Sequence, residues 1–199
     1  MKKTVLFVLL DQYADWEGAY LSSGLLALAP EEYAVKTVSL TAEPVRSMGG
    51  FTALPDYALS SAPVTFEGLI LIGGMSWRAE SAQQVGPLVE RAVRGGKVLG
   101  GICDASAFLG TLGTLNQARH TSNDLDDLKQ WAGDAYTGES NYIREQAVRD
   151  GKLVTANGSA ALEFAREVLL ALNAAPEEKI LDWYRFHKLG FYEASALKS

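Results

Sequence analysis

The chain has 199 residues, of which 48% are hydrophobic and 21% charged, with a formal net charge of −6. This composition is that of a folded globular protein with room for a sizeable core, and it excludes whole-chain disorder. The acidic balance argues against nucleic acid as a partner, and a single cysteine, Cys103, excludes an internal disulfide or a cysteine-based zinc cluster.

Lys2-Lys3 followed by the apolar run Val5 to Leu10 imitates a secretion signal. Asp11, Asp15 and Glu17 interrupt it where a signal needs unbroken apolar sequence. The run is read as a buried first strand, and a lone thiol fits a reducing, cytoplasmic setting. No apolar stretch approaches the ~20 residues of a membrane span.

Ala14 to Ala29 has helical spacing and stops at Pro30, with Asp15 as the candidate N-cap. Val35 to Leu40 alternates as a second strand, and Gly68 to Ile72 is a third that ends at Gly73-Gly74. Gln83 to Arg94 reads as a helix closed by Gly95-Gly96, and Lys97 to Ile102 as a strand running into Cys103. A short helix is expected over Asp104 to Leu112. Ser122 or Asn123 should cap another, whose first turn holds Asp124, Asp126 and Asp127. Gln146–Val148 and Leu153–Ala156 flank Asp150-Gly151 as a hairpin. Helices over Ala160 to Leu172 and Glu177 to Leu189 complete the chain. Strands alternating with helices predict an α/β fold on a mainly parallel sheet, here one domain over residues 1–199.

The chemistry concentrates at Gly101-Ile102-Cys103-Asp104-Ala105, where an apolar strand passes at once into a helix. That is the layout of a nucleophile elbow, in which a sharp turn lifts a Cys or Ser above the sheet. The helix start favours a thiolate, and the Asp104 N–H can stabilise an oxyanion. Gly74, after its own strand, is the candidate second donor, with Gly73 beside it in the pocket. Glu17 follows the first strand and should reach the same sheet end. A carboxylate beside a thiolate is unfavourable, so Glu17 is expected to hold a proton and donate a hydrogen bond to the sulfur. His120 is a candidate general acid or base, against the plainer reading of a satisfied core histidine. Trp16 and Trp77 are candidates for the pocket wall, with core or dimer-interface packing as the alternative. His187, between Arg185 and Lys188, reads as part of a solvated face. The acidic run after Asn123 lacks calcium-loop spacing.

These features resemble the ThiJ/PfpI (DJ-one) superfamily, within the class I glutamine-amidotransferase-like fold. The resemblance covers residues 3 to 173 and adds His120-Thr121-Ser122-Asn123 and Thr155-Ala156-Asn157-Gly158-Ser159 to its marks. The last 26 residues would be a helical extension. The resemblance implies a flavodoxin-like three-layer sandwich with Cys103 as elbow nucleophile and Glu17 as its partner carboxyl. Gly74 and Asp104 would form the oxyanion hole, and His120 the family's separate histidine. It also implies a homodimer or larger assembly, with no cofactor or metal. PfpI-like proteases carry His directly after the Cys, where this chain has Asp104. Glutamine amidotransferases carry a late His-x-Glu pair, which Lys188 and Leu189 after His187 do not supply. The expected function is a cofactor-independent cysteine enzyme acting on a small electrophile, by amide hydrolysis or glyoxalase-like hydration of a 2-oxoaldehyde. Oxidation sensing through Cys103 and a non-catalytic ligand-binding module are the competing expectations.

Overall fold

In the computed structural model, which describes residues 2–196, the chain forms a seven-stranded sheet with helices on both faces. The elements in chain order begin with β1 (Lys3–Val8), α1 (Asp15–Leu28), β2 (Tyr33–Ser39), β3 (Val45–Arg46), β4 (Thr52–Ala53) and β5 (Tyr57–Ala58). Next come β6 (Gly68–Leu71), α2 (Gly86–Arg94), β7 (Val98–Ile102), α3 (Asp104–Thr111) and α4 (Leu125–Ala132). The last are β8 (Ala147–Asp150), β9 (Leu153–Ala156), α5 (Ala161–Leu172), α6 (Glu177–Leu189) and α7 (Phe191–Ala196).

The sheet order is β5-β2-β1-β6-β7-β9-β8, and β3 and β4 pair separately as a hairpin. Every pairing in the large sheet is parallel except β8 with β9. This is the flavodoxin-like layering. Alternate residues of one strand feed two cores, because side chains leave a strand on opposite faces. Val5 and Phe7 of β1 pack with Leu21 and Leu25 of α1 and with Phe164, Val168 and Leu169 of α5. Leu6 and Val8 pack on the other face with Leu88 and Val89 of α2, Phe108 and Leu109 of α3 and Leu128 of α4. Both faces are covered, which is why β1, β6 and β7 read as continuous apolar runs.

The chain moves outward from β1 to β2 and β5, then returns to β6 on the other side of β1. The strand order therefore reverses between β1 and β6, and crevices at the carboxyl ends of such strands hold ligands in open α/β sheets. No helix among the described residues is long and apolar enough to cross a membrane.

Several expected boundaries and caps shift. The β1 run enters the sheet at Lys3 and leaves it at Val8. The segment before α2 is a 3₁₀ turn over Glu80–Val85, and the α-helix starts at Gly86-Pro87, because Pro is suited to the first helical turn. Asp15 does not cap α1. Ala14 precedes the helix without a side-chain cap, and the Asp15 carboxylate accepts the Gly49 N–H (2.7 Å), which ties α1 to the β3–β4 hairpin. Asp124, rather than Ser122 or Asn123, caps α4 by accepting the Asp127 N–H (2.9 Å). His187 is half-buried rather than part of a solvated face, and its ring packs against Tyr20 and Trp183.

Candidate active site

Cys103 sits between β7 and α3 with φ 59° and ψ −135°. A positive φ costs an L-residue on the order of 1–3 kcal/mol, and such strain persists only where the surroundings hold it. Here they do. The Cys103 N–H donates to Ala156 O (3.0 Å), and its carbonyl accepts from the Ser106 N–H (2.9 Å) and hydroxyl (2.6 Å). Ser106 pairs in turn with the Ser122 hydroxyl (2.8 Å). The sulfur is thereby lifted off the strand line at the N-terminus of α3.

Glu17 approaches from α1 and is wholly buried. Its Oε2 accepts the Gly73 N–H at 2.8 Å. Among the described residues its Oε1 has no hydrogen-bond partner, and it stands beside the sulfur. A methyl placed on Gly158 would lie 3.2 Å from Oε1 and 2.9 Å from Sγ. The absence of side chains at Gly73 and Gly158 is what lets the two groups meet. A methyl on Gly73 would fall 2.5 Å from both Cys103 Cβ and Glu17 Oε2.

Asn123 is the contact that sequence reasoning missed. Its Nδ2 donates to Cys103 Sγ (3.3 Å), while its Oδ1 accepts the Gly158 N–H (2.9 Å). One side chain therefore fixes both the sulfur and the glycine turn facing it. The His-Thr-Ser-Asn run was the signal, but an Asn before an acidic helix start looks like a cap. Trp16 completes this side by donating Nε1–H to Gly158 O (3.0 Å), with its ring half exposed.

Burial pushes Glu17 up to about 7, and the Asp104 charge adds to the shift, while the Gly73 N–H and Cys103 oppose it. Burial also pushes the Cys103 thiol up, and an ionised Glu17 pushes it further; Asn123 and the Asp104 N–H pull it down. Each group's charge opposes the other's, so the pair titrates as a unit. An unfolded glutamic acid ionises near 4.5, whereas the folded pair keeps both protons up to about 7. Between these values the native state binds more protons than the unfolded one, so stability falls as pH rises. The expected loss is about 3 kcal/mol across that window. Urea midpoints at pH 4.5 and 7.5 should show it, and Glu17→Gln should lack this component.

Asp104 and Gly74 are the two expected oxyanion donors. The Asp104 N–H faces the sulfur. Gly74, after β6, adopts φ +150° and is bridged to Tyr13, flanked by hydrogen bonds from the Ala14 N–H to Gly73 O (2.9 Å) and from the Met75 N–H to Gln12 O (3.1 Å). A methyl there would strike Gln12 O at 2.3 Å, so only glycine lets the two loops touch.

Two expected site residues lie elsewhere. His120 is fully buried, its Nδ1–H donating to Ala118 O (2.8 Å) and its Nε2 accepting from the Tyr136 hydroxyl (2.7 Å). Both ring nitrogens are engaged away from Cys103, and burial holds the imidazole below its usual pKa, in the neutral form. The plainer reading of a satisfied core histidine describes it. Trp77 is also buried, packing on Phe108 and donating Nε1–H to Ile72 O (2.7 Å). It anchors the loop after β6 and is not a pocket wall.

The model of the DJ-1/PfpI family matches residues 3–171. The chain belongs to this family. It is 39% identical over 194 residues to a protein named "Uncharacterized protease YdeA" from Bacillus subtilis (strain 168), covering 96% of this chain and 93% of that one. The crystal structure of the thiJ/pfpI family protein from Bacillus anthracis superposes with a TM-score of 0.89 at 32% identity, covering 98% of this chain and 94% of that one. The DJ-1 superfamily protein Atu0886 from Agrobacterium tumefaciens gives a TM-score of 0.83 at 33% identity, covering 94% and 98%. As a DJ-1/PfpI member, the chain carries Asp104 at the position after its elbow cysteine, and that carboxylate is held by Arg78 (Nε to Oδ2, 2.9 Å).

Proposed function

We propose that the chain is a cysteine enzyme that attacks a small electrophilic carbon and needs no cofactor for that step. The observation that carries this reading is the meeting of Cys103 Sγ with the unpartnered Oε1 of Glu17 at a backbone strained to present the sulfur. A single negative charge serves the pair. The sulfur has two donors, the Asn123 amide and the Asp104 N–H, and faces the positive end of α3. Glu17 has one donor on Oε2 and none on Oε1. Once the pair gives up its first proton, near pH 7, these donors favour the charge on sulfur and the remaining proton on Glu17, whose O–H then donates to Sγ.

The thiolate would form an S–C bond to a carbonyl carbon while the C=O π pair moves to oxygen. The N–H groups of Gly74 and Asp104 would receive that oxyanion. With an amide, the Glu17 proton passes to the leaving amine, and the Glu17 carboxylate then takes a proton from the water that hydrolyses the thioester. With a 2-oxoaldehyde, Glu17 protonates the thiohemiacetal oxygen, its carboxylate then carries the C1 proton to C2 through an enediol, and water hydrolyses the resulting 2-hydroxyacyl thioester to release the thiolate. The protease name carried by the Bacillus subtilis relative favours amide substrates. The Asp104 side chain and the distant His120 argue against a Cys-His proton relay in that chemistry.

A panel of small amides, 2-oxoaldehydes and isonitriles tests the reading. Turnover of at least one, lost by 10³-fold or more in Cys103→Ala with the fold retained, is the expected result. No turnover on any class, with peroxide converting Cys103 cleanly to a sulfinate, would replace the enzyme by an oxidation sensor.

A further inference from the structure

Asp104 poses an electrostatic problem at this site. A carboxylate suits the first turn of a helix, but this one directly follows the nucleophile, and its charge opposes ionisation of both Glu17 and Cys103. Arg78, four residues after Gly74, meets it. Arg78 Nε and Nη2 grip Asp104 Oδ2 (2.9 Å) and Oδ1 (3.3 Å), while Nη1 and Nη2 grip Asp127 Oδ1 (3.1 Å) and Oδ2 (2.5 Å) in the first turn of α4. The guanidinium also lies over the Trp131 ring, 4.8 Å from its centroid. Two carboxylates and a ring thus hold one planar fork, a geometry that a lysine cannot reproduce.

We propose that Arg78 is a positioning residue for the Cys103 site: it holds the Asp104 carboxylate against α4, neutralises it, and ties the loop of Gly74 to the start of α3. The inference rests on the reading of Cys103 as a nucleophile. The groups facing the sulfur are Glu17 from α1, Asn123 from the loop before α4, the Gly158 turn and the start of α3 with Asp104. Of the charged ones, only Asp104 is in reach of Arg78, with Asp127 behind it. The same grip joins the two candidate oxyanion donors, because Arg78 lies on the Gly74 loop and Asp104 supplies the other amide.

The test is the rate of Cys103 alkylation by iodoacetamide against pH, read by intact mass on the full chain. The thermal midpoint serves as the folding control. In Arg78→Ala the apparent thiolate pKa should rise by about one unit, slowing alkylation at pH 7 several-fold. In an Asp104→Asn background the same Arg78 change should shift the profile by less than about a third of that, because the charge it screens is gone. Arg78→Gln carries the comparison if Arg78→Ala does not fold. An unshifted profile in the Arg78 variant, or an equal shift in both backgrounds, overturns the role of Arg78 while leaving a reactive Cys103 intact. A wild-type Cys103 alkylated no faster than a free thiol instead overturns the reading of the site itself.

Discussion

Glu17→Gln is expected to keep Cys103 reactive toward alkylation while removing turnover. The amide matches a protonated carboxyl in shape and in hydrogen bonding. Its oxygen can accept the Gly73 N–H now taken by Oε2, and its NH₂ can donate to the sulfur beside the unpartnered Oε1. The thiolate therefore keeps a donor, and no carboxylate competes with it for the pair's single charge. What Gln cannot do is give up a proton or take one. The expected result is alkylation at pH 7 at least as fast as in the wild type, with kcat lower by about 10²–10⁴-fold. Glu17→Leu should behave differently: it leaves the Gly73 N–H buried without an acceptor and the sulfur without the Glu17 donor, so both alkylation and stability should fall. Intact-mass alkylation and steady-state kinetics on the same preparations separate the two variants. If Glu17→Gln turned over substrate at the wild-type rate, Glu17 would not be the proton carrier.

Gly73→Ala should be among the most destabilising single-methyl additions to this chain. The new carbon would lie 2.5 Å from Cys103 Cβ, 2.5 Å from Glu17 Oε2 and 2.7 Å from the Ile102 carbonyl oxygen. Neither a Cβ nor a strand carbonyl can rotate aside, so β6 and β7 would have to separate. Overpacking of this kind costs about 3 kcal/mol or more. Gly133→Ala is the matched control. Its φ of +52° strains an alanine by about 1 kcal/mol, but nothing lies within 4 Å of the added carbon. Urea denaturation of the three proteins should rank wild type, Gly133→Ala and Gly73→Ala in falling stability. A Gly73→Ala midpoint equal to the Gly133→Ala midpoint would mean that the sheet end yields more easily than its packing indicates.

The elements that build the site were legible because each one satisfies a local rule. Covered strands read as apolar runs, and helices stop at proline or glycine. A cysteine between a strand and a helix announces an elbow. Glu17, Cys103, Gly73 and Gly74 could be assigned to one end of the sheet from their positions after β1, β7 and β6, because parallel strands bring all their carboxyl ends together. The short pairs β3–β4 and β5 escaped notice, since two-residue strands carry no periodicity.

The linear sequence therefore determined the fold class, the elbow and the carboxyl partner, each encoded by residues near one another in the chain or by strand order. Tertiary structure alone decided which polar side chains face the sulfur. Asn123 looked like a helix cap, yet Asp124 took the cap and left Asn123 free to span from Sγ to the Gly158 turn, 35 residues away. His120 looked like a proton carrier, yet Ala118 and Tyr136 engage both its nitrogens. Trp77 fits a pocket wall or a core position equally well in sequence, and it lies in the core. In each case the competing roles are chemically equivalent in sequence. The choice depends on which donor or acceptor the fold places within about 3 Å, the range over which a hydrogen bond forms.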